Sequence, residues 1–261
     1  MITLSKRLQT VADFVSSATS IADVGCDHGY MSIYLYENHK ANRVYAMDVN
    51  KGPLMRAQNN IEVAGYSDAI ITRLSDGLKA VDLSDDIKAC VICGMGGPLG
   101  LRLLYDSKVV VANMEQVVLQ LQSDLPLVRF MLKKWGFEVL DETMCIDEDK
   151  YYFCIKAKPS ISFVEASAPG YNPLKPSTFE DFCNDEKENI YLLDDEAFAE
   201  CILPASLKKN APLEFDNYVT KELSRMTKVR ESLSSNEDSD KAILRKRSLD
   251  REIQIYERKQ R

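Results

Sequence analysis

Hydrophobic and polar positions repeat with two different periods along the first 160 residues. A helical period runs through Leu4, Leu8, Val11, Ala12 and Val15 and predicts a first helix. Apolar, strand-like runs follow at 20–24, 43–48, 69–73, 88–93 and 116–121, and helical patterns lie between and after them at 30–40, 52–64, 98–107 and 124–135. Strands that alternate with helices in this way predict an α/β fold with a parallel, doubly wound sheet.

The two strand patterns that follow are joined differently. Residues 136–145 and 151–157 are joined by a short connection that contains the turn-rich segment 147–150, so they predict an antiparallel hairpin. A parallel sheet finished by a reversed strand is typical of class I methyltransferases, whereas a simple dehydrogenase half-domain does not need one. The hairpin therefore favours the methyltransferase type of Rossmann-like fold.

Beyond Pro159 the pattern changes to a segment rich in proline, asparagine and acids. Prolines recur through 159–213 and are expected to interrupt any long element. Apolar stripes return at 219–233 and 243–256, on either side of the polar residues 234–240. They predict an antiparallel pair of helices, in the form of a short coiled coil, with a flexible tail as the alternative. We predict two domains, 1–160 and 161–261, the second consisting of a linker region and a helical coiled-coil domain.

The loop after the first strand carries the strongest chemical signal. Asp23, Gly25, Asp27, His28 and Gly29 are its candidate cofactor residues, since Gly25 lets a ligand approach the backbone and Gly29 precedes a helix. The loop is not G-x-G-x-x-G, because Cys26-Asp27-His28 replaces the middle glycine. An acid beside the ligand would repel a pyrophosphate and suits a cationic sulfonium. The loop therefore indicates S-adenosylmethionine (SAM) before NAD.

Acids also end the next two strands. Asp48, followed by Val49, is placed to accept the ribose hydroxyls of an adenosine cofactor, and its alternative role is to cap the next helix. Asp76, followed by Gly77, is placed to accept the adenine amine, although an Asp-Gly pair is also an ordinary turn.

The fourth strand ends in Gly94-Met95-Gly96-Gly97-Pro98, where a ligand can lie against backbone amides. Many amino-methyltransferases have an Asp/Asn-Pro-Pro-aromatic motif at this point, and this chain has none. A loop without an acid suggests a nucleophile that needs no deprotonation, such as adenine N1. Asp27 is the candidate catalytic residue, positioned to orient the target base, while His28 has the alternative of capping the following helix.

Composition adds limits on location and partners. Seven cysteines without a framework indicate reduced thiols in a cytoplasmic protein, and Cys90 and Cys93 are expected on opposite faces of a strand. No apolar run is long enough to span a membrane, and no metal site is expected. The net charge is −7, but residues 180–200 hold nine acids against one base, whereas 241–261 hold eight bases against three acids.

Taken together, these residues resemble one family, the bacterial tRNA adenine-N1 methyltransferases that modify position 22 (the TrmK family). The matching pieces are 4–8, 22–30, 94–97, 119–122, 135–137, 141–142, 203–204, 207–210 and 212–213, although the family's Leu-Gln-Pro-Asn is Leu119-Gln120-Leu121-Gln122 here. The resemblance implies a SAM-dependent enzyme with tRNA as its partner and a helical domain that grips the RNA. We place the RNA contacts at Lys6, Arg7, Lys208, Lys209, Arg245, Lys246 and Arg247, and we expect a monomer.

Three other functions remain open from the sequence. The first is methylation of another RNA base or a small molecule, the second a non-catalytic SAM- or RNA-binding scaffold, and the third NAD-dependent reduction. The basic helical pair argues against a small-molecule substrate, and the hairpin argues against NAD.

Overall fold

The computed structural model describes residues 2–234 and 240–260, without the side chains of 234 and 240–244. The strands are β1 (Ala18–Val24), β2 (Ala41–Asp48), β3 (Ile70–Leu74), β4 (Ala89–Met95), β5 (Gln116–Leu121), β6 (Glu138–Asp147) and β7 (Lys150–Lys158). The helices of the same region are α1 (Lys6–Phe14), α2 (Tyr30–Glu37), α3 (Lys51–Ala64), α4 (Gly97–Asp106), α5 (Lys108–Val111) and α6 (Leu125–Lys134). The predicted elements are thus confirmed in type and order, and the four-residue α5 was not predicted.

The strands form one seven-stranded sheet in the order β3-β2-β1-β4-β5-β7-β6. The first five pair in parallel, and β7 pairs antiparallel with both β5 and β6. The predicted hairpin is confirmed, but its reversed strand β7 lies inside the sheet and β6 forms the edge. Parallel strands place all their carboxyl ends at one side of the sheet, and in open α/β sheets this is the side where ligands bind.

Alternate residues of the central strands pack on opposite faces of the sheet. Val91 and Val118 belong to one buried cluster together with α1, α2 and α3, whereas Ile92 and Leu119 belong to the other, with α4 and α6. Cys90 and Cys93 follow the same alternation, as predicted, because Cys90 lies in the second cluster and Cys93 packs against the first. All seven cysteines are free thiols.

The segment 159–213 is more ordered than the prolines predicted. It forms a short 3₁₀ helix (Ile161–Glu165) and three α-helices, α7 (Ser177–Ile190), α8 (Asp195–Ile202) and α9 (Ala205–Asn210). Pro176 and Pro204 stand directly before α7 and α9, where proline is compatible with a helix start. Phe179, Phe182 and Phe198 are buried against the same core as α4 and α6. The prolines thus stand at the boundaries of short helices, as the expectation of no long element implies, but the helices between them were not predicted.

The last two helices are α10 (Pro212–Ser234) and α11 (Asp240–Gln260), and they run antiparallel. The hydroxyls of Tyr218 and Tyr256 are 3.3 Å apart, and Arg230 Nε lies 2.7 Å from Asp250 Oδ1, so later residues of α10 meet earlier residues of α11. The predicted stripes lie in this interface at Val219, Met226 and Leu249, which are buried. Residues 235–239 of the predicted polar break, and the side chain of Ile243, lie outside the described part of the chain.

Among the residues that the structure describes, no helix is both long enough and apolar enough to cross a membrane. No cluster of three or more His, Cys, Asp or Glu side chains suited to a metal ion occurs in that part of the chain.

Candidate cofactor site

A cavity of about 710 Å³ opens at the carboxyl ends of β1, β2, β3 and β4. The predicted residues that line it are Asp23, Gly25, Asp27, His28, Asp48, Val49, Asp76, Gly77, Gly94 and Met95. Because these positions lie at or just after the carboxyl ends of four different strands, the sheet brings together residues that are far apart in sequence. The cavity contains the whole predicted cofactor set except two glycines.

Those two glycines, Gly29 and Gly96, lie outside the lining of the cavity. Gly29 stands at the start of α2, and a Cβ there would lie 3.1 Å from that of Ala57, so it serves packing between helices. Gly96 precedes α4, and a Cβ there would face the Ser123 hydroxyl. The position of a glycine in a glycine-rich loop does not show whether it lines a cavity or allows two elements to pack closely.

Gly25 and Gly94 provide the open backbone of the site. Both have positive φ, 78° and 81°, a conformation that other L-residues rarely adopt. A Cβ on Gly25 would lie 2.4 Å from the Met95 Cε, which also lines the cavity. Because glycine has no side chain, the space between the β1 and β4 loops stays open.

Asp23 is the most deeply buried acid of the cavity. Its Oδ2 accepts a hydrogen bond of 2.6 Å from the Ser32 hydroxyl of α2. Burial raises the pKa of Asp23 from 3.8 to about 6, against the lowering effect of the Ser32 hydrogen bonds. A cationic ligand beside this carboxylate would favour its charged form.

Asp48 ends β2 and is oriented by two backbone amides. Its Oδ1 accepts from the Asn50 amide at 2.8 Å and its Oδ2 from the Asp27 amide at 3.3 Å. The helix that follows begins at Lys51 and has Asn50 as its N-cap residue, so Asp48 is not the cap. Asp48 is 8% exposed as a residue, and its carboxylate retains acceptor capacity toward the cavity, as a ribose partner requires.

Asp76 lies at the β3 side of the cavity in contact with two cations. Arg102 of α4 binds both of its oxygens, at 2.9 and 3.0 Å, and Lys79 binds Oδ2 at 2.7 Å. The Arg102 hydrogen bonds, above all, lower the pKa of Asp76 to about 2. Asp76 is therefore a charged hydrogen-bond acceptor at neutral pH. Its ion pairs show that it does more than form an Asp-Gly turn.

Asp27 and His28 lie at the mouth of the cavity. Asp27 has a positive φ of 47° and an exposed carboxylate, 3.5 Å from Arg56 and 3.6 Å from His28. The His28 ring stacks on Tyr30 with centroids 5.6 Å apart. No side chain caps α2 at its first residue, so His28 does not have the alternative role of a cap.

Arg7 was predicted to contact RNA phosphates, and the structure places it in the lining of the cavity. Its Nη1 donates to Gln120 Oε1 at 2.8 Å and to Cys93 Sγ at 3.1 Å, and its guanidinium lies over the Tyr152 ring. Burial raises the pKa of Cys93 to about 12, so this sulfur is a neutral thiol. Arg7 therefore forms part of the interior of the site.

A second cavity, also about 710 Å³, lies beyond Tyr152. It is bounded by the β6–β7 turn, the start of α6, and helices α10 and α11. Its lining combines tyrosine rings with charges of both signs: Tyr151, Tyr152, Lys150, Lys221, Arg225, Asp124, Asp149, Glu222 and Glu252. Lys221 lies over the Tyr151 ring at 5.3 Å. Sequence reasoning missed these residues, since only the fold places the hairpin turn beside α10.

The other predicted RNA contacts are on the outer surface. Lys6 is exposed and lies 3.8 Å from Glu214 of α10, and Lys208 and Lys209 occupy the last turn of α9. Arg245 and Arg247 are exposed on α11 and Lys246 is half-buried there. Arg251, from the same basic segment, is instead bound to Asp195 and to the Leu193 carbonyl, so part of that charge is structural.

The charge of the first cavity distinguishes between possible cofactors. Its described lining contains four acids, Asp23, Asp27, Asp48 and Asp76, against the arginines Arg7 and Arg102. Arg102 is already neutralised by Asp76 and Asp106. An excess of negative charge is unfavourable for a pyrophosphate and favourable for a sulfonium with an α-amino group. The residues present therefore fit SAM.

Comparison with known proteins agrees with this fit. A family model for a methyltransferase domain matches residues 4–155, which is more than half of the chain. The tRNA (adenine(22)-N(1))-methyltransferase of Bacillus subtilis is 33% identical over 155 residues, which are 59% of this chain and 65% of that protein. The match thus spans slightly less than two thirds of this curated relative.

Solved structures extend the similarity over the whole chain. A Streptococcus pneumoniae protein, a candidate tRNA (m1A22) methyltransferase, is 25% identical, with 99% of this chain and 100% of that one covered and a TM-score of 0.77. The same protein in complex with SAM gives a TM-score of 0.75 with the same coverage and identity. These relatives confirm the resemblance to the TrmK family drawn from the sequence, and the chain belongs to the methyltransferase domain family.

Proposed function

We propose that this chain transfers the methyl group of SAM to N1 of adenine 22 in tRNA. The observation that carries the proposal is the pair of cavities that meet at Arg7 and Tyr152. The first has the acidic, glycine-opened lining that suits SAM. The second has tyrosine rings on which a base of RNA can stack, with Lys150 and Lys221 beside them as cations for its phosphates. The names of the B. subtilis and S. pneumoniae relatives support the same substrate.

Residues of the first cavity would hold the cofactor. Asp48 would accept hydrogen bonds from the ribose hydroxyls, and Asp76 would accept one from the adenine amine. Gly25 and Gly94 leave room beside the backbone. The buried charge of Asp23 favours the cationic end of the molecule. When bound, SAM supplies an electrophilic methyl group on a sulfonium.

The target base needs orientation more than deprotonation. Adenine N1 carries a free lone pair, so no general base is required, and in a paired region the base must turn out of its helix because N1 lies on the pairing edge. The chain then contributes by holding N1 in line with the reacting bond. We assign this orientation to Asp27, whose exposed carboxylate lies at the mouth of the cavity and is able to accept from the adenine amine.

The RNA around the target base is assigned to the second cavity and the surfaces beside it. Tyr151 and Tyr152 offer rings on which bases stack, and Lys150 and Lys221 offer charges for phosphates, whereas Arg225 is bound to Glu222. Lys6, Lys208, Lys209, Arg245, Lys246 and Arg247 extend the cationic contacts. A small-molecule substrate would need none of these groups.

The deciding experiment is methyl transfer from labelled SAM to unmodified tRNA, with adenine or guanine at position 22. We expect label in 1-methyladenosine with the adenine tRNA and none at that position with the guanine tRNA. Label elsewhere in the RNA would contradict the substrate, and binding of SAM without any transfer would favour the scaffold alternative. A cytoplasmic location and a monomeric state remain predictions, the first supported by seven free thiols.

A further inference from the structure

Asp76 belongs to a closed ring of four alternating charges. Arg102 contacts Asp76 at 2.9 Å and Asp106 at 2.9 Å, while Lys79 contacts Asp76 at 2.7 Å and Asp106 at 3.0 Å. Each cation therefore touches both carboxylates, and the ring is electrically neutral. This arrangement fixes each member from two sides, which a single ion pair does not do.

The ring is anchored in the protein interior at one end and open at the other. The Asp106 side chain is 4% exposed and that of Arg102 is 10% exposed, whereas Asp76 is 34% exposed and lines the cofactor cavity. Asp106 also accepts a hydrogen bond from the Tyr171 hydroxyl, which comes from the segment between β7 and α7. The buried half thus determines where the exposed carboxylate lies.

The hydrogen bonds that Asp76 accepts show how many acceptor positions of its carboxylate remain for a ligand. A carboxylate has about four acceptor positions. Oδ2 receives Arg102 Nη1 and Lys79 Nζ, and Oδ1 receives Arg102 Nη2. One position, on Oδ1, is left for a donor from the cavity.

We propose that Arg102 is a positioning residue that sets the purine specificity of the cofactor site. It holds the Asp76 carboxylate so that its free acceptor position receives the exocyclic amine of adenine, and a 6-oxo purine, which presents an acceptor there, is rejected. The inference rests on the proposed function, since it requires that the cavity binds an adenosyl cofactor. Arg102 itself acts only through Asp76.

The test compares binding of S-adenosylhomocysteine with binding of S-inosylhomocysteine, whose C6 carries an oxygen in place of the amine, by isothermal titration calorimetry. For the wild type we expect a preference for the adenosyl compound on the order of tenfold or more, as for a hydrogen bond to a charged acceptor. In Arg102→Met the adenosyl compound should bind about tenfold more weakly and the preference should fall toward one. A merely structural role would weaken both compounds equally and leave the ratio unchanged.

Two further variants keep the result interpretable. Arg102→Lys retains a buried cation without the two-pronged contact, so its preference should lie between those of the wild type and Arg102→Met, even if the methionine variant does not fold. Arg43→Met, an exposed arginine of β2, should retain the wild-type ratio. An unchanged ratio in both Arg102 variants would overturn the inference alone. Failure of the wild type to bind S-adenosylhomocysteine would overturn the proposed function and this inference together.

Discussion

The guanidinium carbon of Arg7 lies 5.4 Å from the centre of the Tyr152 ring, at the junction of the two cavities. Arg7 lines the first cavity and Tyr152 lines the second. Arg7 donates a hydrogen bond to the side-chain oxygen of Gln120, a buried residue of β5. The contact therefore connects the cofactor side of the protein with the side assigned to RNA.

The position of Arg7 predicts a large effect of its removal on transfer to tRNA. In Arg7→Met the hydrogen bonds to Gln120 and Cys93 are removed, and the base beside them should be misplaced. We expect kcat/KM for tRNA to fall by about 10- to 100-fold, as is common when reacting groups are misaligned. Single-turnover transfer of labelled methyl groups measures this effect.

Its neighbour Lys6 provides the matched control. Lys6 is exposed and its ion pair with Glu214 is long, at 3.8 Å, so Lys6→Met should change kcat/KM by only about twofold. Equal losses in both variants would show that Arg7 acts as Lys6 does, by contacting RNA phosphates, and has no special part in placing the base.

Asp48 should be required for cofactor binding. Asp48→Asn keeps the shape of the side chain but loses its charge and one of its acceptor oxygens. We expect affinity for S-adenosylhomocysteine to fall by about 10- to 100-fold, the range for a hydrogen bond to a charged group. Titration calorimetry checks this loss, with the exposed Asp68→Asn as the control. Unchanged binding in Asp48→Asn would assign the ribose hydroxyls to other groups.

The sequence was sufficient for those parts of the site that follow from strand order. Asp48 and Gly94 lie at the carboxyl ends of β2 and β4, and Asp76 follows β3. A parallel sheet brings such ends together whatever the loops contain. Arg7 and Arg102 could not be assigned in this way. Their roles depend on which partners α1 and α4 present after packing, and a lone arginine on a helix carries no signal of that.

The helices of 159–213 show a similar limit in the fold. Phe179, Phe182, Cys183 and Ile190 are buried with the 3–4 residue spacing of a helix, so the pattern was present in the sequence. The nearby prolines were expected to interrupt long elements, and Pro176 and Pro204 do stand at helix boundaries, directly before helix starts. Proline content alone does not separate a linker from a series of short helices.

Asp23 should reduce stability at neutral pH. Its pKa is about 6 in the folded chain against 3.8 without burial, so the native state binds more protons than the unfolded state between these values. Stability therefore falls as pH rises from about 4 to 6, by about 3 kcal/mol for about 2 pH units. Asp23→Asn keeps an acceptor for Ser32 and removes this cost.

Urea denaturation of the wild type and Asp23→Asn at several pH values measures the difference. We expect the variant to be more stable by about 3 kcal/mol at pH 7, with the gap closing below pH 4, where the wild-type carboxyl is neutral in both states. A gap independent of pH would show that the substitution acts through packing. The same variant should bind SAM more weakly. Its stability and its affinity are therefore expected to change in opposite directions.

The basic residues of α11 should contribute to affinity more than to chemistry. Replacing Arg245, Lys246 and Arg247 together by glutamine should raise the KM for tRNA and leave kcat at saturation unchanged. The slope of log affinity against log salt should become shallower by about one unit for each phosphate that the variant no longer neutralises. Filter binding at several salt concentrations measures this slope. An unchanged slope would place the RNA path elsewhere, and Lys208→Gln with Lys209→Gln tests the α9 surface in the same assay.

The buried pair of Arg129 and Glu142 joins the sheet to the later helices. Arg129 Nε donates to both Glu142 oxygens, at 2.9 and 3.2 Å, and its Nη1 donates to the Cys201 carbonyl at the end of α8. The two side chains are 6% and 3% exposed. One cation therefore links β6 and α6 of the predicted first domain to α8 of the predicted second domain.

Breaking this pair on one side should be costly and should test the domain boundary near 160. In Glu142→Gln the Arg129 charge stays buried without its partner, and we expect a decrease in stability of about 3–5 kcal/mol. Replacing both residues, Arg129→Met with Glu142→Leu, removes the uncompensated charge and should recover most of that stability in the sheet, since hydrophobic replacements of buried pairs are often neutral. The carbonyl of Cys201 would still lack its donor, so α8 should detach before the sheet unfolds.

Two spectroscopic probes separate these events. Trp135, the single tryptophan, packs on Phe163 and Phe179 and reports that contact by fluorescence, while circular dichroism reports the whole chain. Separate transitions by the two probes in the double variant, and one shared transition in the wild type, would show that Arg129 couples the two parts. A single shared transition in both proteins would mean that the aromatic packing alone suffices to hold the later helices on the sheet.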